Sequence, residues 1–200
     1  MENMNKIKAL EKLADSRKGY LLTSEVLKSG ISKPTLAKFV QNKKMERVGH
    51  GIFVSENTWY DELYILGIQN SRIIYSHETA LQLHGLMEHE SNTVNVTVPT
   101  GYNATHLRKR GLNVHQAKAE LYEMGLSYKE TNYGNMVQLY DKERTICDII
   151  KNKENMDIQI FQHALKEYMQ SQGKNLHQLM FYARKMKLES VVRNYTEVML

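Results

Sequence analysis

The spacing of apolar residues in the first quarter of the chain predicts three short helices. Helical spacing within residues 5–15 is set by Ile7, Leu10, Leu13 and Ala14. A second helix, in GYLLTSEVLKSG, can begin at Thr23 or Ser24 and end at Gly30. A third is predicted in SKPTLAKFVQNKK, capped by Ser32 or Lys33, because Pro34 suits a first helical turn, where its missing N–H costs little.

The third helix has an apolar and a polar side, and a β-hairpin follows it. The apolar side is formed by Leu36, Phe39 and Val40. The polar side is formed by Pro34, Lys38 and Gln41, flanked by Thr35 and Asn42. MERVGHGIFV then predicts two strands, 47–48 and 52–54, around the turn 49–51. Three helices and a hairpin in this order make a winged helix-turn-helix, whose third helix enters the DNA major groove.

The remaining residues predict an α+β unit with a helical C-terminal end. A helix or linker helix is predicted in 57–70, then the strand RIIYS, then a helix in HETALQLHGL that Ser76 can cap and Gly85 can end. NTVNVTVP alternates strictly, which predicts a half-buried strand with its valines on one face and Asn95 and Thr97 on the other.

Further strands are predicted in LNVHQA and in SYKET and MVQLY, the last two around the turn Asn132-Tyr133-Gly134. Helices are predicted in 141–153 and through the remainder of the chain. The fold class is therefore α+β. The predicted organisation is a winged helix-turn-helix in 1–56, a connecting segment in 57–75 and a larger α+β domain in 76–200.

The positive charge of the chain is confined to its first domain. Residues 1–56 hold eleven Lys and Arg against six Asp and Glu, whereas residues 57–200 hold sixteen of each. A basic excess in one domain is typical of a protein that binds an anionic partner. Two alternatives remain. These lysines can lie on a solvated helix face without a ligand, or the winged helix can contact another protein.

The predicted DNA contacts follow from the predicted helix and hairpin. Lys38 and Gln41 can reach base edges. Residues at the helix starts can meet phosphates: Thr23, Ser32, Lys33 and Thr35. Residues after the third helix extend positive charge into the wing: Lys43, Lys44, Arg47 and His50.

The histidines of SHETALQLHGL raise the question of a metal site. His77 and His84 lie seven residues apart, which separates them by about 10 Å along a helix. One zinc ion cannot be bound by both across that distance. Unless His89 and other residues assemble around one of them, hydrogen-bonding or packing roles are expected, and no metal or cofactor is predicted.

No catalytic residue is predicted either. One loose group of carboxylates is predicted near strands: Glu130, Asp141, Glu143 and Asp148. A metal-dependent nuclease needs carboxylates that converge, but Asp141 and Glu143 do not share a helix face. The single cysteine, Cys147, lies among isoleucines and is predicted to be a buried structural thiol in a reducing cytoplasm. A polar N-terminus and the lack of an apolar run of about 20 residues predict a cytoplasmic protein without a membrane span. The basic cluster from His106 to Arg110 is either solvated surface or a second nucleic-acid contact.

The chain resembles the AbiEi antitoxins of bacterial type IV (AbiE abortive-infection) toxin–antitoxin systems in three stretches that follow the predicted winged helix. These stretches occur in the order of that family: YSHETALQLHGL, VTVPTGYN and YDKERTICDII. The resemblance runs from about Leu21 to Leu179. It implies an N-terminal domain that binds inverted repeats in double-stranded DNA of its own promoter and represses the operon. It also implies a C-terminal domain that counters a cognate nucleotidyltransferase-like toxin without a stable complex between the two proteins. It assigns no antitoxic residues.

The sequence leaves three hypotheses for the function of the chain. The first is an autorepressing antitoxin. The second is a ligand-responsive winged-helix transcription regulator whose α+β domain senses a metabolite. The third is a nucleic-acid-processing enzyme, which would lose metal-dependent turnover on Asp141→Asn.

Overall fold

The computed structural model describes residues 2–88, 91 and 93–199, and the chain divides into two compact units. The first unit comprises the residues up to Ser71 together with the turn Thr131–Asn135. The second comprises Arg72–Glu130 and Met136–Leu200. The mixed helix and strand content confirms the α+β class.

The first unit is a winged helix-turn-helix. Its helices are α1 (Glu2–Ser16), α2 (Thr23–Lys28) and α3 (Lys33–Asn42), and its strands are β1 (Tyr20–Leu22), β2 (Glu46–Gly49) and β3 (Ile52–Val54). The strands form an antiparallel sheet in the order β1-β3-β2. The buried core that joins helices and sheet consists of Leu10, Ala14, Leu21, Val26, Ile31, Leu36, Phe39 and Met45.

Strand β1 was not predicted, because its residues were assigned to the run-up of the second helix. Tyr20, Leu21 and Leu22 are all buried and pair with β3. A three-residue strand has no periodicity that could reveal it, so its conformation is determined by the pairing partner. Helix α2 therefore begins at Thr23, and its cap position is Leu22, whose side chain makes no capping bond.

A fourth helix, α4 (Glu62–Gln69), extends the first unit beyond the predicted boundary at residue 56. The ring of Tyr64 packs edge-on against the ring of Tyr20, with centroids 5.0 Å apart. Asp61 is buried and caps α4 through Tyr64 N, and its other oxygen accepts bonds from Thr131 Oγ1 at 2.5 Å and Asn135 Nδ2 at 2.8 Å. These bonds explain why much of the predicted connecting segment and the distant turn belong to the first unit.

The second unit is built on a five-stranded mixed sheet in the order β6-β5-β4-β8-β7. Its strands are β4 (Ile74–Tyr75), β5 (Asn95–Pro99), β6 (Asn113–Ala117), β7 (Leu126–Glu130) and β8 (Met136–Tyr140). Its helices are α5 (His77–His84), α6 (Thr105–Lys109), α7 (Ala119–Tyr122), α8 (Lys142–Lys151), α9 (Ile158–Gln170), α10 (Leu176–Lys185) and α11 (Glu189–Met199). A 3₁₀ turn, Lys153–Asn155, follows α8.

Helix α8 lies in the main core of this unit. Ile146, Cys147, Ile149 and Ile150 are buried there with residues of α5, α9, α10 and α11. Cys147 is fully buried, and desolvation raises the pKa of its thiol to about 12. The prediction of a buried structural thiol is confirmed.

The prediction of a half-buried strand in NTVNVTVP is wrong, because both faces of β5 are covered. Asn95 and Thr97 are as buried as Val96 and Val98. Their polar groups are hydrogen-bonded. Asn95 N donates to Thr79 Oγ1 at 2.8 Å, and Thr97 Oγ1 donates to Ser76 Oγ at 2.9 Å. Alternation of apolar and polar residues indicates which side chains share a face, but not whether a polar face is solvated.

Candidate nucleic-acid interface

Helix α3 presents the polar side that the sequence predicted. Leu36 and Phe39 are buried, and Lys38 and Gln41 are exposed on the other side of the helix. The helix begins after Ser32, whose hydroxyl lies 2.9 Å from that of Thr35 instead of capping a backbone N–H. Pro34 occupies the first turn.

The wing is the hairpin of β2 and β3. Its turn contains His50, which is exposed, and Gly51, whose φ of 68° is a left-handed conformation that glycine adopts without strain. The backbone N–H of Thr23 donates to Gly51 O at 2.8 Å, so the wing is fastened to the start of α2. Arg47 is exposed, and its Nε donates to Gly49 O at 3.1 Å, which orients the guanidinium along the wing.

A groove of about 810 Å³ lies between the starts of α2 and α3 and the wing. Its lining includes four of the predicted DNA contacts: Thr23, Lys33, Arg47 and His50. Residues far apart in sequence are therefore assembled on one surface, as a nucleic-acid interface requires. Lys38 and Gln41 lie outside this groove, on the exposed side of α3.

Lys43 and Lys44 extend the basic surface at the end of α3, and both are exposed. Lys44 has a left-handed φ of 49°, as is common just beyond a helix end. Lys43 Nζ forms a salt bridge with Glu11 Oε1 at 2.7 Å and lies 6.0 Å from the ring centroid of Phe39. Part of its charge is therefore compensated within the unit, and Lys43 is the least available of the predicted cations.

Sequence reasoning missed the contribution of α4 to this surface. Ile68 and Gln69 line the same groove, although both were placed in a connecting segment. Helix α4 packs against strand β2 of the wing, and the side-chain amide of Gln69 lies over Gly49. A helix in 57–70 was predicted, but no pattern in the sequence indicated that it packs against the wing.

A half-buried polar contact joins the end of α1 to α2 and α4. The guanidinium of Arg17 forms a salt bridge with the carboxylate of Glu25, and its Nη1 donates to Tyr64 Oη at 2.7 Å. The hydrogen bond to Glu25 raises the pKa of Arg17 above its ordinary value. This group fixes α2 relative to α4.

The two histidines of SHETALQLHGL bind separate protein partners. His84 Nε2 donates to the Tyr140 carbonyl at 2.8 Å, and His77 Nδ1 lies 3.0 Å from Ser76 Oγ. His89 lies outside the described residues. Within the described part of the chain, no three His, Cys, Asp or Glu side chains are grouped as metal ligands. Gly85 ends the helix in the left-handed conformation, with φ 72°, as predicted, but the hydroxyl of Ser76 makes no capping bond.

The carboxylates near the strands have individual structural partners. Asp141 caps α8 by accepting from Arg144 N at 2.8 Å and accepts from a tyrosine hydroxyl at 2.8 Å. Glu143 accepts from Tyr168 Oη at 3.0 Å and Asn175 N at 2.9 Å. Desolvation raises the pKa of Asp141. These bonds account for Asp141 and Glu143 without a reaction.

The basic cluster after β5 lies on and just beyond the short helix α6. His106, Arg108, Lys109 and Arg110 are exposed around the buried Leu107. Tyr102 and His106 form an edge-to-face ring contact with centroids 6.0 Å apart. A nucleic-acid contact at this cluster stays a prediction.

Comparison with known proteins gives a family match for the first part of the chain. Residues 3–90 match the family model described as transcriptional regulator, AbiEi antitoxin N-terminal domain. The fold is similar to the crystal structure of the RV2827C protein from Mycobacterium tuberculosis, with a TM-score of 0.55 and 9% identity over 88% of this chain and 70% of that chain. No curated protein is significantly similar in sequence. Among the described residues, no helix is long and apolar enough to cross a membrane.

Proposed function

Since residues 3–90 belong to the AbiEi antitoxin N-terminal family of transcriptional regulators, we propose that this protein is the antitoxin of a type IV toxin–antitoxin system that represses its own operon. The observation that carries the proposal is the basic surface formed by α3, the start of α2 and the wing. Its residues come from separate elements yet face one groove and one helix side, and they lie within residues 1–56, which hold eleven Lys and Arg against six Asp and Glu.

In the proposed complex, α3 lies in the major groove. Lys38 and Gln41 are the exposed side chains that contact base edges, because they project from the helix side opposite Leu36 and Phe39. Lys33 and Thr23 at the helix starts, together with the wing residues, contact phosphates and hold the helix in register.

One winged helix reads only a few base pairs, so two copies bind two inverted half-sites in the promoter. The two-fold symmetry of such a site matches that of a protein pair, and binding by the pair provides affinity that one copy lacks. Occupancy of the promoter then excludes transcription of the antitoxin gene together with the toxin gene.

The second unit counters a cognate nucleotidyltransferase-like toxin, and no stable complex of the two proteins is required. Residues 57–200 hold sixteen basic and sixteen acidic residues, unlike the basic residues 1–56, which fits a division of labour between DNA binding and antitoxic action. Abortive infection and phage resistance are the physiological outcome expected of such an operon.

Repression is tested by fluorescence anisotropy with the DNA just upstream of the protein's own gene and a scrambled duplex of equal length. The chain is expected to prefer the upstream DNA, and Lys38→Ala/Gln41→Ala is expected to abolish most of that preference. Lys166→Ala, which changes an exposed lysine of α9, is the matched control. Equal binding to both duplexes would refute sequence-specific repression.

Antitoxic action is tested in cells that express the toxin with either the wild-type chain or Lys38→Ala/Gln41→Ala. The variant is expected to protect the cells while a promoter reporter is derepressed. The reason is that the proposed antitoxic action belongs to the second unit and does not need the base contacts of Lys38 and Gln41. If the variant fails to protect at equal protein level, the proposed separation of the two roles is wrong.

A further inference from the structure

The second unit contains a cavity that the proposed repression and antitoxic action do not use. Its volume is about 600 Å³, which lies in the range of small-molecule sites. Its walls come from the start of α5, from β5, β6, α7 and α8, and from the residues at the end of α10. All of these elements belong to one compact unit, so the cavity does not depend on the DNA-binding unit.

One wall of the cavity carries a carboxylate whose hydrogen bonding is incomplete. Asp148 Oδ1 accepts from Arg144 Nε at 3.1 Å, and both side chains are more than nine-tenths buried. Arg144 is held by the Leu121 carbonyl at 2.5 Å and the Met124 carbonyl at 2.9 Å. Asp148 Oδ2 has no hydrogen-bond partner among the residues that the structure describes. A buried acceptor without a donor is costly, so this wall favours a ligand that brings an N–H group.

A second wall is formed by two stacked imidazoles. The rings of His77 and His115 lie 3.5 Å apart and 14° from parallel. Burial lowers the pKa of His77 to about 3 and that of His115 to about 4, so both rings are neutral at neutral pH. The backbone of His77 has a left-handed φ of 50°, an uncommon conformation for histidine at the start of a helix.

The hydrogen bonds around the imidazoles determine which ring nitrogens carry protons. Ser76 Oγ accepts from Thr97 and lies 3.0 Å from His77 Nδ1, so Nδ1 is engaged with Ser76 and Nε2 is the His77 nitrogen left for a ligand. His115 Nε2 lies 3.1 Å from Asn95 Oδ1, an acceptor, so neutral His115 has an unprotonated Nδ1. The wall therefore offers two uncharged imidazole nitrogens for hydrogen bonding, of which His115 Nδ1 is an acceptor.

The rim of the cavity is strongly basic. Among its described residues, four exposed lysines line it against one exposed acid, Glu120: Lys118, Lys151, Lys185 and Lys187. Lysines from separate elements around one concave surface create a positive potential that attracts an anion. Like charges gathered there repel each other, and a bound anion would relieve the repulsion.

We propose that this cavity binds a mononucleotide, whose phosphates contact the rim lysines and whose base brings N–H donors to the Asp148 wall. The volume fits one nucleotide. A base edge, with its donors and acceptors, matches the carboxylate and the neutral imidazoles, and a bare inorganic anion would leave those groups unused. A free nucleotide, and not a nucleic-acid strand, is the ligand that a concave site of this volume accommodates.

The test measures binding of ATP, GTP, CTP and UTP to the full chain by isothermal titration calorimetry, with tripolyphosphate and inorganic phosphate as probes without a base. At least one nucleotide is expected to bind more tightly than tripolyphosphate. Lys151→Glu/Lys185→Glu is expected to weaken that binding by about tenfold or more, because charge-assisted contacts to phosphate are removed. Lys166→Glu makes the same charge change on exposed α9 and is expected to have no effect.

Two further variants distinguish binding in the cavity from binding at the DNA-facing surface and from a defect in folding. Lys38→Ala/Gln41→Ala is expected to bind the nucleotide normally, because the DNA-facing residues lie in the other unit. Asp148→Asn is expected to weaken nucleotide binding more than tripolyphosphate binding, provided that its circular dichroism matches wild type. If it does not fold, the two lysine variants still decide the outcome.

The proposal is overturned if no nucleotide binds at millimolar concentration, or if tripolyphosphate binds as tightly as the best nucleotide, which would indicate a bare anion site. It is also overturned if Lys166→Glu weakens binding as much as the rim variant does. None of these outcomes bears on promoter binding, so a failure here leaves the proposed repression untouched.

Discussion

Replacing Arg47 by alanine is expected to weaken DNA binding and to reduce its dependence on salt by a calculable amount. Five cations belong to the candidate interface, but Lys43 is salt-bridged to Glu11. The four that remain are Lys33, Lys38, Lys44 and Arg47. If each of these cations, whether it lies at a phosphate or at a base edge, displaces one counterion condensed on the DNA, log K falls with log salt at a slope of about −3.6 for each bound protomer.

This slope predicts the size of the effect. Between about 50 and 200 mM salt, the wild-type affinity for each protomer is expected to fall by roughly 150-fold. Arg47→Ala has one phosphate contact fewer, so its slope is about −2.7 and its affinity falls by roughly 40-fold. The loss is expected on specific and scrambled DNA alike, because a phosphate contact carries no base information.

The assay is anisotropy at several salt concentrations, with the number of bound protomers taken from sedimentation and the slope divided by it. Lys166→Ala on α9 is the control and is expected to keep the wild-type slope. An unchanged slope for Arg47→Ala would show that the wing does not touch the phosphate backbone, which would refute the proposed interface.

Three further predictions concern stability. Phe39→Ala is expected to lower the free energy of unfolding by about 3–5 kcal/mol in urea titration, since Phe39 is buried in the first unit's core; a loss below about 1 kcal/mol would contradict that packing. Asp61→Ala is expected to lower the free energy of unfolding by about 3 kcal/mol, because three hydrogen bonds to a buried carboxylate are lost. Asp15→Ala, at an exposed position, is the control and should change it by less than about 0.5 kcal/mol. Equal effects would refute the role of Asp61. Burial lowers the pKa values of His77 to about 3 and of His84 to about 4, so the unfolded chain binds more protons than the folded one below about pH 6.5. The contribution of these histidines to stability is therefore complete above that pH and is lost on acidification towards the folded pKa values, by about 1.4 kcal/mol per pH unit for each histidine. His84→Gln is expected to show a smaller loss of stability between urea titrations at about pH 7.5 and 5.5. An unchanged loss would refute the assignment to His84.

Local chemistry is what the sequence by itself determined. The apolar spacing of Leu36 and Phe39 predicted the buried side of α3, and with it the exposed positions of Lys38 and Gln41. Gly85 predicted the end of α5 because a left-handed residue is needed there and glycine adopts that conformation without strain. In each case the decisive interactions lie within about one or two turns of chain, so a pattern in neighbouring residues records them.

Only the tertiary structure decided which distant residues meet. Strand β1 exists because β3 pairs with it, and Asn95 is buried because Thr79 and its other partners satisfy its polar groups. His77, His115 and Asp148 come from three separate elements and line one cavity, and no spacing in the sequence predicts that grouping. The physical reason is that burial and hydrogen-bond satisfaction depend on partners brought in by the fold, whereas periodicity reports only which side of its own element a residue occupies.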